Sequence, residues 1–338
     1  MVTEHIVKSG NSPRRFRAFR VEKQERISAA FVELELDDLS PGEVVVRTAF
    51  AGLNYKDALA ASPEGRVISR FPRVAGSDFS GTVVSSTDAR FAAGERVMAY
   101  AAGLGVERDG GFSEYVRVPA ASLLRVPAEL SLLDAAALGV AGFTAALAVH
   151  LLEEAGLRAG QGPVLVSGAS GGVGSMAIDM LSMLGHEVVA MSGKAQHQDK
   201  LLALGAAHWL DGRQAPQLSR PLESGRWAGA VDTVGGACLP WIIATLRERA
   251  AVAALGNAGG NDFGSSVLPF ILRSVRLIGV NATAYRSIEQ DLWQRLASAL
   301  RPRRALQLVQ QIRFEQIPDY LGRLREREII GRVVAGFE

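Results

Sequence analysis

The chain has 338 residues, 48% of them apolar and 21% charged, a composition that excludes a disordered or fibrous chain and suits about two folded domains. Its 37 basic side chains nearly balance 35 acidic ones, so the formal net charge of +2 gives no general reason to expect a nucleic acid or a membrane surface as partner. A single cysteine, Cys238, excludes an internal disulfide and a thiolate zinc cluster, and a reducing cytoplasm is the expected setting.

Residues 1–17 mix charged and polar side chains without a continuous apolar core, so no secretory signal is expected there. The first strand predicted is Val44-Val45-Val46-Arg47-Thr48, a β-branched run after the turn signal Ser40-Pro41-Gly42. Short strands at 80–85, 96–99 and 115–119 follow, punctuated by Pro72, Gly76, Gly81, Gly94, Gly103, Gly110 and Gly111. Short strands with frequent turns predict a compact β-barrel or sandwich-like domain. The stretch 132–152 comes nearest to the roughly 18 uninterrupted apolar residues of a membrane span. It is rich in Ala and Gly and contains Asp134 and His150, and it reads as a buried helix pair.

After about Leu133 the rhythm changes. Pro163–Ser167, Glu187–Met191, Gly229–Thr233, Ala250–Leu255 and Arg276–Val280 read as buried strands. Helical patterns at 173–184, 198–204 and 238–249 lie between them. Buried strands alternating with helices predict βαβ units and a parallel, doubly wound sheet. Helices near 288–300 and 317–325 and a final strand at 330–334 do not continue that rhythm. The expectation is therefore a discontinuous catalytic domain, residues 1–140 and 281–338, with a nucleotide domain, residues 141–280, inserted into it.

Between the strand at 163–167 and the helix from 173 stands Gly168-Ala169-Ser170-Gly171-Gly172-Val173-Gly174. A strand-to-helix turn without side chains lets backbone approach a pyrophosphate, and exposed N–H groups with the helix dipole favour its negative charge. The spacing is G-x-x-G-x-x-G, and its place in a βαβ series distinguishes it from a plain tight turn. The next strand decides the cofactor. NAD sites place Asp or Glu there, roughly 20 residues past the glycines. This chain has Met191-Ser192-Gly193-Lys194 instead. A hydroxyl and an ammonium suit a 2′-phosphate, so NADPH is expected; a solvated lysine after a strand is the alternative.

The glycine loop, Ser192-Gly193-Lys194 and Leu53-Asn54-Tyr55-Lys56-Asp57 together resemble the medium-chain dehydrogenase/reductase superfamily, in its zinc-free quinone oxidoreductase branch and the bacterial acrylyl-CoA reductase family. Segments 75–81, 141–145, 227–235, 268–273 and Gly331-Arg332 match as well, so the similarity spans about 17–334. The resemblance implies an α/β protein with a GroES-like β-rich catalytic domain and a Rossmann domain, paired as a homodimer through the Rossmann sheet. It further implies that NADPH touches Tyr55, Ser170, Gly171, Gly172, Val173, Ser192, Gly193, Lys194, Thr233, Leu277 and Arg332. Lys194 stands where some relatives carry arginine, a point charge in place of a planar fork. Asn54-Tyr55 stands where zinc-dependent members have a cysteine, and Gly76-Ser77-Asp78 where they have a histidine-glutamate pair, so no metal is expected.

Without a Lewis acid a simple alcohol is a poor substrate, whereas a double bond conjugated to a carbonyl needs only hydride at its β-carbon, donors for the enolate oxygen and a proton. Tyr55 and Asn54 are the candidate donors. Tyr55 either gives a proton or only packs against cofactor; Asn54 orients the carbonyl or a ribose hydroxyl, or satisfies a turn. Asp78 orients Asn54 or Lys56, or is a structural carboxylate. Lys56 and Asp57 read as a helix-start ion pair, and Arg332 as a phosphate ligand for cofactor or coenzyme A. The five histidines form no spaced cluster. The leading expectation is NADPH-dependent reduction of acrylyl-CoA to propionyl-CoA, or of a similar short enoyl thioester. Quinone or enone reduction is the first alternative. A non-catalytic NADPH-binding or RNA-binding protein is another class, which salt-dependent RNA retention without NADPH turnover would reveal.

Overall fold

The structure, a computed structural model, describes residues 15–214, 218 and 220–337. Residues 1–14, where no signal sequence was expected, lie outside the described residues. The chain forms two compact units: Met1–Gly139, Gln311–Glu328 and Val333–Glu338 make the first, Val140–Gln310 and Ile329–Arg332 the second.

The first unit begins with β1 (Phe16–Lys23) and β2 (Ile27–Leu34), an antiparallel pair. Neither is expected from the sequence. Charges at Arg17, Arg20, Glu22 and Lys23 obscure the inward Phe16, Ala18 and Val21, which are buried. Next come β3 (Val44–Leu53), α1 (Tyr55–Ala60), β4 (Arg73–Val74), β5 (Asp78–Ser86), β6 (Arg96–Tyr100), β7 (Tyr115–Val118) and β8 (Leu124–Arg125). The β-branched start of β3 suits a strand buried on both sides. β5 pairs along one edge of β3, and β7 pairs with its first residues, Val44–Arg47. Register shifts between Val45/Val46 and Thr48/Phe50 bend the β3–β5 pair, as bulges do. β3 thus delivers Leu53 and Asn54 to the start of α1, and β5 opens on Asp78.

α2 (Leu132–Glu154) is long and apolar enough to cross a membrane, yet 89% of its apolar window is buried inside the protein. At Gly139 the backbone leaves the helical region (φ 35, ψ −135), so it is two helices joined at a kink.

The second unit follows: β9 (Val164–Ser167), α3 (Gly172–Met183), β10 (Val188–Ser192), α4 (Gln198–Ala203), β11 (His208–Asp211), β12 (Trp227–Asp232), α5 (Cys238–Thr245), β13 (Leu246–Ala254), α6 (Leu268–Arg273) and β14 (Arg276–Gly279). Its six strands lie in the order β11-β10-β9-β12-β13-β14, all parallel. This is the doubly wound order, which reverses between β9 and β12. Leu165, Ala230, Trp241, Ile242 and Val252 lie in its core.

Three expectations need correction. The helix predicted over 238–249 stops at Thr245, whose hydroxyl bonds back to the Trp241 and Ile242 carbonyls (2.7 and 3.1 Å). The strand starts at Leu246, and a register shift follows in which Arg249 takes φ +62. The return to the first unit comes at Gln311, not 281. The helices after β14, α7 (Glu289–Ala297) and α8 (Arg303–Leu306), belong to the second unit. There Trp293 stacks on Phe143 (6.1 Å), Arg295 pairs with Glu153, and Arg304 pairs with the fully buried Asp179. Last come β15 (Gln310–Arg313), α9 (Ile317–Arg325) and β16 (Val333–Gly336). β16 pairs with the end of β3, three residues later than predicted, because Gly331 (φ +67) and Arg332 are held by the second unit.

Candidate dinucleotide cradle and candidate active site

In the second unit, β9 and β12 end side by side at the reversal of strand order, the place where open α/β sheets bind ligands. Asp232, fully buried, locks the two ends together: it accepts from Ser167 Oγ (2.5 Å) and from the Val234 and Gly235 N–H groups (both 3.0 Å). Thr233 donates its N–H to Ser167 Oγ and its hydroxyl to the Ser167 carbonyl, both at 3.0 Å.

The loop leaving β9 needs its glycines for space as well as conformation. Gly168 has φ +58, and a Cβ there would lie 2.0 Å from Thr233 Oγ1. A Cβ on Gly174 would lie 2.5 Å from the Gly168 carbonyl oxygen, a backbone atom that cannot move aside. Gly171 is different: a Cβ there would meet only the Gly168 carbonyl, at an ordinary 3.4 Å. The loop is therefore packed on its inner side and open at Gly171, just before α3, whose first N–H groups have no partner inside the helix. Arg332 lies over that start, its Cδ 2.7 Å from where a Gly172 Cβ would be, and Gly331 N–H binds the Ser170 carbonyl at 2.9 Å.

The end of β10 joins this loop. Ser192 Oγ donates to Ser170 Oγ at 3.1 Å and accepts the Lys194 N–H at 3.2 Å. Lys194 Nζ donates to the Ile329 carbonyl at 2.7 Å. Ser170, Ser192, Gly193, Lys194, Thr233 and Arg332 are thus gathered around one loop. Leu277 is not: it lies mid-strand on the edge strand β14, level with Val252 and Ala230, whereas Thr233 follows the end of β12. Arg213, which sequence reasoning missed, stands beside the loop. Its Cγ is 3.3 Å from where a Gly193 Cβ would be, and its guanidinium grips Asp211 with two bonds (3.0 and 2.7 Å). That Asp211 pairs in register with Ser192, so the carboxylate next to the clasp is already neutralised, and Arg213 holds its pKa down. The signal in the sequence was Asp211-Gly212-Arg213 closing the adjacent strand.

In the first unit, Asn54 caps α1 from an extended conformation, and Tyr55 opens the helix half-buried, its hydroxyl bonded to no other described residue. Asn54 Nδ2 donates to Ser77 Oγ (3.1 Å) and to Asp78 Oδ2 (2.9 Å). A carboxamide has two N–H donors, and both are committed. The Asn54 side chain also accepts the Asp57 N–H in a capping box, so of its expected roles the one the geometry displays is that of a residue satisfying the turn into α1. Asp78 orients Asn54 rather than Lys56, and takes the Gly52 N–H on its other oxygen at 2.7 Å. The helix-start ion pair is also corrected. Lys56 is exposed, while Asp57 turns inward to accept the Asn54 N–H at 2.9 Å. Burial and the nearby Asp78 push the Asp57 pKa up to about 7.

Paired β-rich and doubly wound units, with a bare strand-to-helix loop at the sheet reversal, define a dinucleotide-dependent oxidoreductase of the GroES-plus-Rossmann class. The alcohol dehydrogenase GroES-like domain family matches residues 40–128, and the zinc-binding dehydrogenase family matches 172–298. The chain is 39% identical to a putative quinone oxidoreductase of Bacillus subtilis (strain 168) over 94% of this chain and 98% of that protein. It is 39% identical to the acrylyl-CoA reductase of Ruegeria pomeroyi, over 94% of this chain and 98% of that one. An Escherichia coli K-12 crystal structure with bound NADPH superposes with TM-score 0.92 and 39% identity, covering 95% of this chain and all of that one. The Bacillus subtilis protein has been crystallised with NAD bound and superposes equally well, at 38% identity over 96% of this chain and 99% of that one. The chain belongs to the medium-chain dehydrogenase/reductase superfamily, in its zinc-free branch.

The zinc in one family's name does not fit these residues. Among the described residues no three His, Cys, Asp or Glu converge. Cys238 has its thiol pushed up to about 12 by burial, far from the thiolate a metal needs.

Proposed function

We propose that the chain uses NADPH to reduce the carbon–carbon double bond of a short enoyl thioester, acrylyl-CoA to propionyl-CoA in the first instance. The observation that carries the cofactor is the cradle with its clasp: a bare loop at Gly171 leading into a helix start under Arg332, no unpaired carboxylate beside β10 among the described residues, and Ser192, Lys194 and Arg213 close together. Helix dipole and N–H groups meet the pyrophosphate; Ser192 and Lys194 meet the 2′-phosphate, with Arg213 alongside. Arg332 holds phosphate from cofactor or coenzyme A. When bound, the reduced nicotinamide supplies hydride to the β-carbon.

The residues of the chain do the rest. Tyr55, whose hydroxyl has no partner among the described residues, meets the thioester oxygen as it becomes an enolate oxygen and lowers its charge by hydrogen bonding. Asn54, clamped by Ser77 and Asp78, fixes the start of the helix that carries Tyr55. A proton from Tyr55 or solvent completes the α-carbon.

Quinone reduction remains the second reading, favoured by the name of the Bacillus subtilis relative. NADPH oxidation assayed side by side with acrylyl-CoA, crotonyl-CoA and a quinone separates the two. The largest kcat/KM is expected for acrylyl-CoA; a clear preference for the quinone overturns the substrate assignment. We further propose a homodimer in a cytoplasmic setting. Its contact is the open edge of β14, flanked by Val267, Ile271 and Leu272, which are 63–68% exposed.

A further inference from the structure

The first unit buries two carboxyl groups around one asparagine. Asp78 is 0% exposed and Asp57 3%. Asn54 joins them, its backbone N–H to Asp57 Oδ2 and its side-chain Nδ2 to Asp78 Oδ2, both at 2.9 Å. Each Asp78 oxygen accepts one N–H bond, from Gly52 or from Asn54. Gly139 closes over it: a Cβ there would lie 2.4 Å from Asp78 Oδ2. Ser77 Oγ accepts from Asn54 Nδ2 at 3.1 Å.

No cation balances a second charge at Asp57 among the described residues. Lys56, its neighbour on α1, is exposed. On β3, Arg47 is exposed as well. α9 packs against α1, but its charged side chains are turned to other partners: Arg323 stacks on Tyr320 and pairs with Glu328, Arg325 pairs with Glu326, and Asp319 is exposed. On β5 the charged group facing Asp57 is Asp78 itself, and two like charges in a dry pocket cannot both be held cheaply.

We infer that Asp57 is kept as the neutral acid on the acid side of neutrality and acts there as a positioning residue, leaving Asp78 beside it without a second buried negative charge, so that Asn54 and the start of α1 stay fixed for the reaction. This rests on the proposed reading that Asn54 and Tyr55 serve that reaction. The raised pKa, about 7, agrees with the geometry. Above it Asp57 loses its proton to solvent, the two carboxylates repel, and the grip on the Asn54 N–H is disturbed, so turnover falls on the alkaline side.

The experiment compares the full-length protein with Asp57→Asn, whose carboxamide still accepts the Asn54 N–H and cannot ionise. The wild type is expected to lose about fivefold or more of its kcat between pH 6.5 and 8.5, with KM little changed; the variant is expected to match it within about threefold at pH 6.5 and to lack the alkaline limb. Carbon NMR of protein labelled at the aspartate carboxyls supplies a readout independent of turnover and of the folding of any variant. One carboxyl of the wild type is expected to titrate near neutrality, and its signal to be missing in Asp57→Asn. All aspartates titrating below about pH 5 would overturn the inference. A neutral titration with an alkaline limb unchanged by Asp57→Asn would overturn the positioning role. Loss of all turnover on every substrate, with the neutral titration present, would sink the proposed function while leaving the neutral acid at Asp57 standing.

Discussion

The cradle of the second unit is made of backbone, and the cluster of the first is made of side chains. Around Gly168–Gly174 the shape comes from absent Cβ atoms, and the electrostatics are positive, from a helix start, Lys194, Arg213 and Arg332. Around Asn54 the shape comes from Ser77, Asp57 and Asp78 saturating one another, and the electrostatics are negative and dry. The contrast suits the two tasks proposed for these regions. A large anionic cofactor is held by many weak, open donors, whereas a reacting carbonyl requires few groups held rigidly.

Breaking the backbone half should have the largest effect. Gly174→Ala puts a methyl 2.5 Å from the Gly168 carbonyl, so the loop must shift, and NADPH affinity is expected to fall about 100-fold or more in a fluorescence titration. The side-chain half breaks differently. Asp78→Ala strands the Gly52 N–H and the Asn54 amide in a buried site, at about 1–3 kcal/mol each, so chemical denaturation should show a loss of roughly 2–5 kcal/mol. NADPH affinity should change little, and a matched loss of cofactor binding would mean that the two regions are not separable. The smallest effect sharpens the cofactor assignment. Lys194→Ala removes one charged contact, worth about 1.5–2 kcal/mol, and should lower the preference for NADPH over NADH about 10- to 30-fold. NADH kinetics should be untouched; equal losses with both cofactors would mean that Lys194 does not read the 2′-phosphate.

Stability should carry the mark of Asp57 as well. Its pKa is raised on folding, so the folded protein keeps a proton that the unfolded chain releases above about pH 4. The stability linked to Asp57 is present at low pH and is lost as pH rises to about 7, and Asp57→Asn should flatten that fall.

The same contrast explains what could be read from the sequence. Glycine spacing between a strand and a helix is local, so Gly168–Gly174 and Ser192–Lys194 were legible in order along the chain. The parallel sheet was legible for a similar reason, since buried strands alternate with helices. Arg213 was not, because it reaches Gly193 only through the pairing of β10 with β11. Lys56-Asp57 suggested an ion pair, yet side chains adjacent in sequence point apart on a helix, and here one went to solvent and the other inward. The level of Leu277 in the sheet was not legible either, since it follows from the pairing of β14 with β13. The helices after β14 were assigned to the wrong unit because their partners, Phe143, Glu153 and Asp179, lie more than a hundred residues earlier.

The most direct test of the whole reading follows one atom. Incubation with acrylyl-CoA and NADPH deuterated at the transferring position should yield propionyl-CoA with deuterium at C3 and a solvent proton at C2. Unlabelled product, or NADPH consumption only when a quinone replaces the thioester, would contradict it.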